Sequence, residues 1–111
     1  MYNNKNVVTI MTFIKFELDA AKNSSNRRKH GVGFEEAGLV FLDPFQISVL
    51  ERTVGREQRW QTIGAVAGVL LLVVVHTVRI ESADPGAEII RIISARRADR
   101  TERRRYEEES D

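Results

Sequence analysis

The chain contains no cysteine. That excludes a thiolate nucleophile, a Cys-ligated zinc site and any disulfide framework, and it fits a reducing compartment such as the cytoplasm. Histidine is nearly as scarce. His30 and His76 have no i, i+4 partner and no carboxylates clustered with them, so no metal site is expected. Long apolar runs are also missing: the longest, residues 63–75, has 13 residues and includes two glycines. A membrane-spanning helix needs about 20. No membrane partner is therefore expected, and the β-branched Val73-Val74-Val75 points instead to a buried strand. Neither a βαβ pattern nor a glycine-rich phosphate loop occurs, so nucleotide-cofactor folds lack support and no cofactor is expected. Residues 1–12 are Asn-rich without a signal-peptide pattern. They read as a poorly ordered extension, and Met11 is a second candidate start because the organised pattern begins just after it.

What is present is one domain's worth of chain: 111 residues, 42% apolar and 30% charged, with a single domain expected over residues 13–111. The net charge of +1 conceals an asymmetry, because Glu107, Glu108, Glu109 and Asp111 sit in the last five positions. Without those five residues, 17 basic groups face 12 acidic ones, a balance of +5. The basic groups cluster in Arg27-Arg28-Lys29 and between Arg96 and Arg105. Such clusters suit a polyanion, although solvated helix faces share the pattern.

Phe13-Ile14-Lys15-Phe16-Glu17 alternates as a half-buried strand does. Asp19 is placed to cap a helix over residues 20–30, and Gly31 to end it in the left-handed conformation. A second helix is expected from Phe34 to about Leu42, with Glu35 and Glu36 in its first turn and Asp43-Pro44 as its stop. Strands follow over 46–50, 58–65 and 69–80, with Gly68 as the turn between the last two. Asp84-Pro85-Gly86 then turns the chain into a strand over 88–94. Asp99 and Glu102 have capping-box spacing for a C-terminal helix through about Glu108. The order predicts an α+β fold: an antiparallel sheet of about four to five strands, two N-terminal helices and a C-terminal helix.

In this order the chain resembles the BrnT toxin family, the toxin half of bacterial type II toxin–antitoxin pairs. The matching stretches begin with Phe16-Glu17-Leu18-Asp19-Ala20-Ala21-Lys22-Asn23, Arg28-Lys29-His30-Gly31-Val32, Phe34-Glu35-Glu36-Ala37 and Phe41-Leu42-Asp43-Pro44. They continue with Arg59-Trp60-Gln61-Thr62-Ile63-Gly64, Leu72-Val73-Val74-Val75-His76-Thr77, Arg91-Ile92-Ile93-Ser94-Ala95-Arg96-Arg97-Ala98 and Glu102-Arg103-Arg104-Arg105-Tyr106-Glu107. Leu18 stands where the family usually has an aromatic, Gly33 where Ser or Thr would cap the second helix, and Val69 at a position that is often basic. The resemblance implies a RelE-like fold, metal-independent RNA cleavage that arrests translation, and neutralisation by a BrnA-like ribbon-helix-helix antitoxin. It also implies a toxin–antitoxin heterotetramer that represses its own operon, operator DNA being read only by the antitoxin.

Metal-free cleavage has the ribose 2′-hydroxyl attack its own phosphate. The protein must remove one proton, supply another and stabilise negative charge, the last being a task for arginine's planar, permanently charged fork. By resemblance, Arg79, Arg96 and Arg97 are the phosphate-binding candidates. Arg96 and Arg97 fall where the last strand meets the C-terminal helix. Arg79, in a hairpin, pairs near the start of that strand, so its convergence with Arg96 depends on sheet twist. Lys29 is a further phosphate contact, and His76 is either a general acid or base or a hydrogen-bonded core residue. Trp60, beside Arg59, either stacks an RNA base or fills the core. Tyr106 is a weaker candidate on the last helix.

Two other readings compete. The helices over 20–30 and 34–42 form a candidate helix-turn-helix, although the second opens with Glu35 and Glu36 and carries no Arg, Lys, Asn or Gln to read base edges. A non-catalytic protein-interaction module is the third.

Overall fold

The computed structural model describes residues 13–80 and 86–109. The expected N-terminal extension and Asp84-Pro85 of the expected turn lie outside the described residues. Strand β1 (Phe13–Glu17) leads into helix α1 (Ala20–His30), whose first turn is capped by the Asp19 carboxylate accepting from the Lys22 amide at 2.9 Å. Gly31 ends α1 at φ 72°, its amide donating to the Arg27 carbonyl. Helix α2 (Phe34–Ala37) is one α-helical turn that tightens into a 3-10 helix (Gly38–Leu42), not the continuous helix expected. The tightening has a packing cause. Val40 is pressed against β3 (Glu57–Val66) so closely that a Cβ on Gly64 would come within 2.8 Å of the Val40 Cβ, and Asp43-Pro44 forces the stop. The cap that Gly33 cannot provide comes from α1, where the Asn23 side-chain oxygen accepts from the Phe34 amide at 2.8 Å.

The strands β2 (Ile47–Val54), β3, β4 (Leu70–Ile80) and β5 (Ala87–Arg97) form an antiparallel meander, and helix α3 (Arg100–Glu109) follows. The turn between β3 and β4 holds Ala67 and Gly68 at positive φ, as the glycine suggested. Strands β2, β3 and β5 are longer than their apolar patterns: β2 continues through Glu51-Arg52-Thr53-Val54 and β5 through Ala95-Arg96-Arg97. The sheet order is β1-β5-β4-β3-β2. The sheet is not wholly antiparallel, because β1 pairs parallel with β5, Phe16 opposite Ile90. Alternation in a sequence reports that a strand has one buried face; it does not report the neighbour it will join or in which sense.

Two apolar layers flank the sheet. On one face Phe34, Ala37 and Val40 pack on Leu72, Val74, Ile90, Ile92 and Ala95. On the other, Ile63, Leu71, Val73 and Ala98 meet Tyr106 of α3. Helix α3 opens with the expected capping box, in which the Glu102 amide donates to Asp99 and the Asp99 amide to Glu102, at 2.8 and 2.9 Å. Helix α1 has little apolar surface, and its one buried residue is Asn26. The Asn26 amide donates to the Val32 and Ala95 carbonyls at 2.9 and 2.8 Å, and its oxygen accepts from the Ala95 amide at 3.1 Å. This side chain thus takes the place of a neighbouring strand along the part of β5 beyond Arg91, where pairing with β1 ends.

Candidate phosphate-binding face

Side chains alternate along a strand, so residues an odd number apart point to opposite faces. Arg91 and Arg96 are five apart on β5 and would be separated by that rule. The β4–β5 register shifts between Val75 and His76, leaving Ile93 as an extra residue, and Arg91, Ser94 and Arg96 then pair with Thr77, Val75 and Val73. Val73 lies in the α3-side layer. The bulge therefore brings Arg91 and Arg96 to one face of the sheet, the face opposite α1 and α2. Arg79, opposite Ile89, shares it, and by register so do Lys15, Glu17, Arg52, Glu57 and Arg59. Only one end of this face is covered by α3.

Carboxylates hold the arginines in place. Arg79 of β4 makes a bidentate pair with Glu17 of β1, reaching over β5. Arg91 of β5 reaches over β4 to Glu57 of β3. Arg59 Nε lies 3.6 Å from the same Glu57 carboxylate; it is buried and has no hydrogen-bond acceptor among the described residues. Hydrogen bonding by Arg79 holds the Glu17 carboxyl below its ordinary value, and hydrogen bonding by Arg91 does the same for Glu57. Thr53, Arg56, Glu57, Thr77, Arg79 and Arg91 are among the residues lining a depression of about 620 Å³ here.

The sequence candidates are not all brought together. Arg79 and Arg96 share a face but stand at opposite ends of it. The seven residue steps from Ile89 to Arg96 span roughly 20 Å at about 3.3 Å each. Arg96 pairs bidentately with Glu102 at 2.8 Å for both bonds, tying α3 to β5, and hydrogen bonding by that carboxylate raises the guanidinium's pKa. Arg97, opposite Leu72, points to the other face. Both arginines lie within the strand rather than beyond its end, so they do not straddle one phosphate. Lys29 lines a depression of about 240 Å³ with Ile93 and Ser94, at the edge of β5 that β1 leaves uncovered. Trp60 pairs with Leu50 and His76, which turns it away from Arg59 and towards the face covered by the helices.

His76 is buried on that helix-covered face, 3% exposed, edge-on to Phe41 with ring centroids 4.8 Å apart. Its Nε2 is 2.6 Å from the Thr62 hydroxyl, which is itself 2.6 Å from that of Ser48. Burial pushes its pKa down to about 4, against a weak opposing contact with the Thr77 carbonyl. The ring is neutral at pH 7 and lies behind the sheet from the arginines. Tyr106 donates to Asp43, whose carboxylate also accepts from the Ala65 amide at 2.7 Å and the Phe45 amide at 2.9 Å.

Among the described residues no three His, Asp or Glu side chains come together to hold a metal ion, and no helix is long and apolar enough to cross a membrane. Arg91 and Glu57, absent from the sequence candidates, are central to the face. A charged residue inside the run Ile89-Ile90-Arg91-Ile92-Ile93 was a readable signal, but its phase with Arg96 needed the bulge. Asn26 carried no signal, being one polar residue in a polar helix.

A five-stranded sheet backed by helices on one side, with an arginine-bearing face that among the described residues α3 covers only at one end, defines a small α+β protein with a basic sheet face. The chain belongs to the BrnT family: the family model described as ribonuclease toxin, BrnT, of type II toxin-antitoxin system matches residues 18–102. The fold is similar to that in the 1.1 Å crystal structure of the Brucella abortus ribonuclease toxin BrnT. That likeness has a TM-score of 0.53 at 22% identity and covers 80% of this chain and all of that one. No curated protein matches the chain.

Proposed function

We propose that the protein is a cytoplasmic, metal-independent endoribonuclease of the RelE-like kind that arrests translation. In this reading a BrnA-like ribbon-helix-helix antitoxin neutralises it in a heterotetramer that represses its own operon, the antitoxin alone contacting operator DNA. Family membership supports the ribonuclease class. The observation that carries the chemistry is the arginine face, with Arg79 and Arg91 held by carboxylates around one depression and Arg59 beside Glu57. The two non-bridging oxygens of a phosphodiester accept bidentately from a guanidinium as those carboxylates do and can exchange with them. Once bound, the phosphate has guanidinium donors aimed at the oxygens that gain charge as the 2′-oxygen attacks. Arg96 fixes α3 and extends the positive field along the strand.

The helix-turn-helix alternative loses its reading element. Helix α2 has four residues, and its Glu35 is already taken up by Asn23 and Arg27 of α1.

The test uses purified protein and a short RNA in excess chelator. The wild type is expected to cleave, and an Arg79→Ala, Arg91→Ala double variant to lose about a hundredfold or more in kcat/KM. RNA left intact by the wild type would sink the reading, and full activity in the double variant would sink the site. A gene for a ribbon-helix-helix protein abutting this one is the expected genomic companion.

A further inference from the structure

We propose that Glu57 is the general base of the cleavage reaction. The inference rests on the ribonuclease reading and supplies the proton acceptor that the arginines cannot be. His76 is buried on the far side of the sheet from them. The carboxylates that make described contacts with arginines of this face are Glu17, Glu51, Glu57 and Glu102, and Glu51, 3.9 Å from Arg52, does not line the depression. Glu102 is committed to structure: it accepts from the Asp99 amide, holds Arg96 through both oxygens and is 16% exposed. Glu17 has both oxygens engaged by Arg79 and does not line the depression.

Glu57 differs. One of its oxygens accepts from Arg91, while the other faces Arg59 Nε at 3.6 Å, beyond hydrogen-bond distance. Its side chain is 40% exposed and lines the depression together with Thr77, Arg79 and Arg91. Arg91 lies opposite Thr77, two residues from Arg79, and such diagonal neighbours are within reach of long side chains. A phosphate gripped by both guanidinium groups therefore sits over β4 beside the Glu57 carboxylate.

Binding also activates the base. When the phosphate draws Arg91 away, Glu57 loses the hydrogen bond that chiefly depresses its pKa and becomes more basic as the substrate arrives. Glu57 then takes the proton of the 2′-hydroxyl as that oxygen bonds to phosphorus. The bond from phosphorus to the 5′-oxygen breaks, and the departing oxygen takes a proton from water. A 2′,3′-cyclic phosphate and a 5′-hydroxyl result, and Glu57 returns its proton to solvent.

The experiment compares wild type, Glu57→Gln and Glu57→Asp on one RNA oligonucleotide in excess chelator, across about pH 4 to 8. Binding to the 2′-O-methyl form of the same oligonucleotide, which cannot be cleaved, is measured in parallel. Glu57→Gln is expected to lose about a hundredfold in kcat/KM while binding the 2′-O-methyl strand at least as tightly, because it frees cationic donors. Its residual activity should lack the limb that rises with pH, and Glu57→Asp should keep that limb at reduced rate. Cleavage by Glu57→Gln within about threefold of wild type, or a loss that leaves the limb intact, overturns the assignment. A loss matched by equally weaker binding also overturns it. If the wild type leaves the RNA intact, the ribonuclease reading and this assignment fail together. If the wild type cleaves and Glu57→Gln cleaves as well, this assignment fails alone.

Discussion

His76 shows what a single residue contributes once burial is known. The ring is closed in by Phe41 and bonded to the Thr62 hydroxyl, so folding selects its neutral form. Its folded pKa of about 4 lies below the ordinary 6.5. The unfolded chain therefore binds the extra proton first as pH falls. The stability held above about pH 6.5 declines through the window from 6.5 to 4 and is fully lost below it. At about 1.4 kcal/mol per unit, the difference is of the order of 3 kcal/mol. Urea unfolding at pH 7 and pH 4.5 should show most of that loss in the wild type. A His76→Gln variant, less stable at pH 7, should show much less of the decline. Parallel pH curves for the two proteins would refute the assignment. The sequence left His76 open as a general acid or base or as a hydrogen-bonded core residue, because a lone histidine in an apolar strand has the same pattern in both cases. Burial behind the sheet distinguishes them.

Among the elements, α1 is attached to the fold by the least obvious means. Its limits were legible in Asp19 and Gly31, since caps are local chemistry. Its docking was not, because Asn26 acts on β5 from 69 residues away in sequence. The same limit applies to the β5 bulge. A strand pattern read from Glu88 to Ser94 ends before Arg96 and gives no phase between it and Arg91. The capping box of α3, again local, was read correctly. Asn26→Ala should leave the Ala95 amide, the Ala95 carbonyl and the Val32 carbonyl without their partner, at a cost of about 3 kcal/mol. In a domain of this size that lowers Tm by at least roughly 10 °C. Calorimetry decides it, and a Tm within about 2 °C of wild type would show that α1 is held by something else.

Across the whole molecule the sheet divides two tasks, with core-forming helices behind it and arginines in front. Clustered arginines in the sequence suggested a polyanion partner, but the arginines gathered around Glu57 are not the clustered ones. The densest run, towards the C-terminus, lies on α3, whereas Arg59, Arg79 and Arg91 are scattered across three strands and become neighbours only through register. This division has a measurable electrostatic consequence. Each phosphate neutralised on a single strand releases counterions, contributing a slope of about −0.7 to log K against log salt. Arg91 stands in the depression on the front face, while Arg97 points behind it. For a 2′-O-methyl oligonucleotide, Arg91→Ala should therefore weaken binding and flatten the slope by about 0.7, whereas Arg97→Ala should leave the slope unchanged. If Arg97→Ala flattens the slope and Arg91→Ala does not, RNA runs along the strand end and α3 rather than over the open sheet, and the depression around Glu57 is not where the phosphate sits.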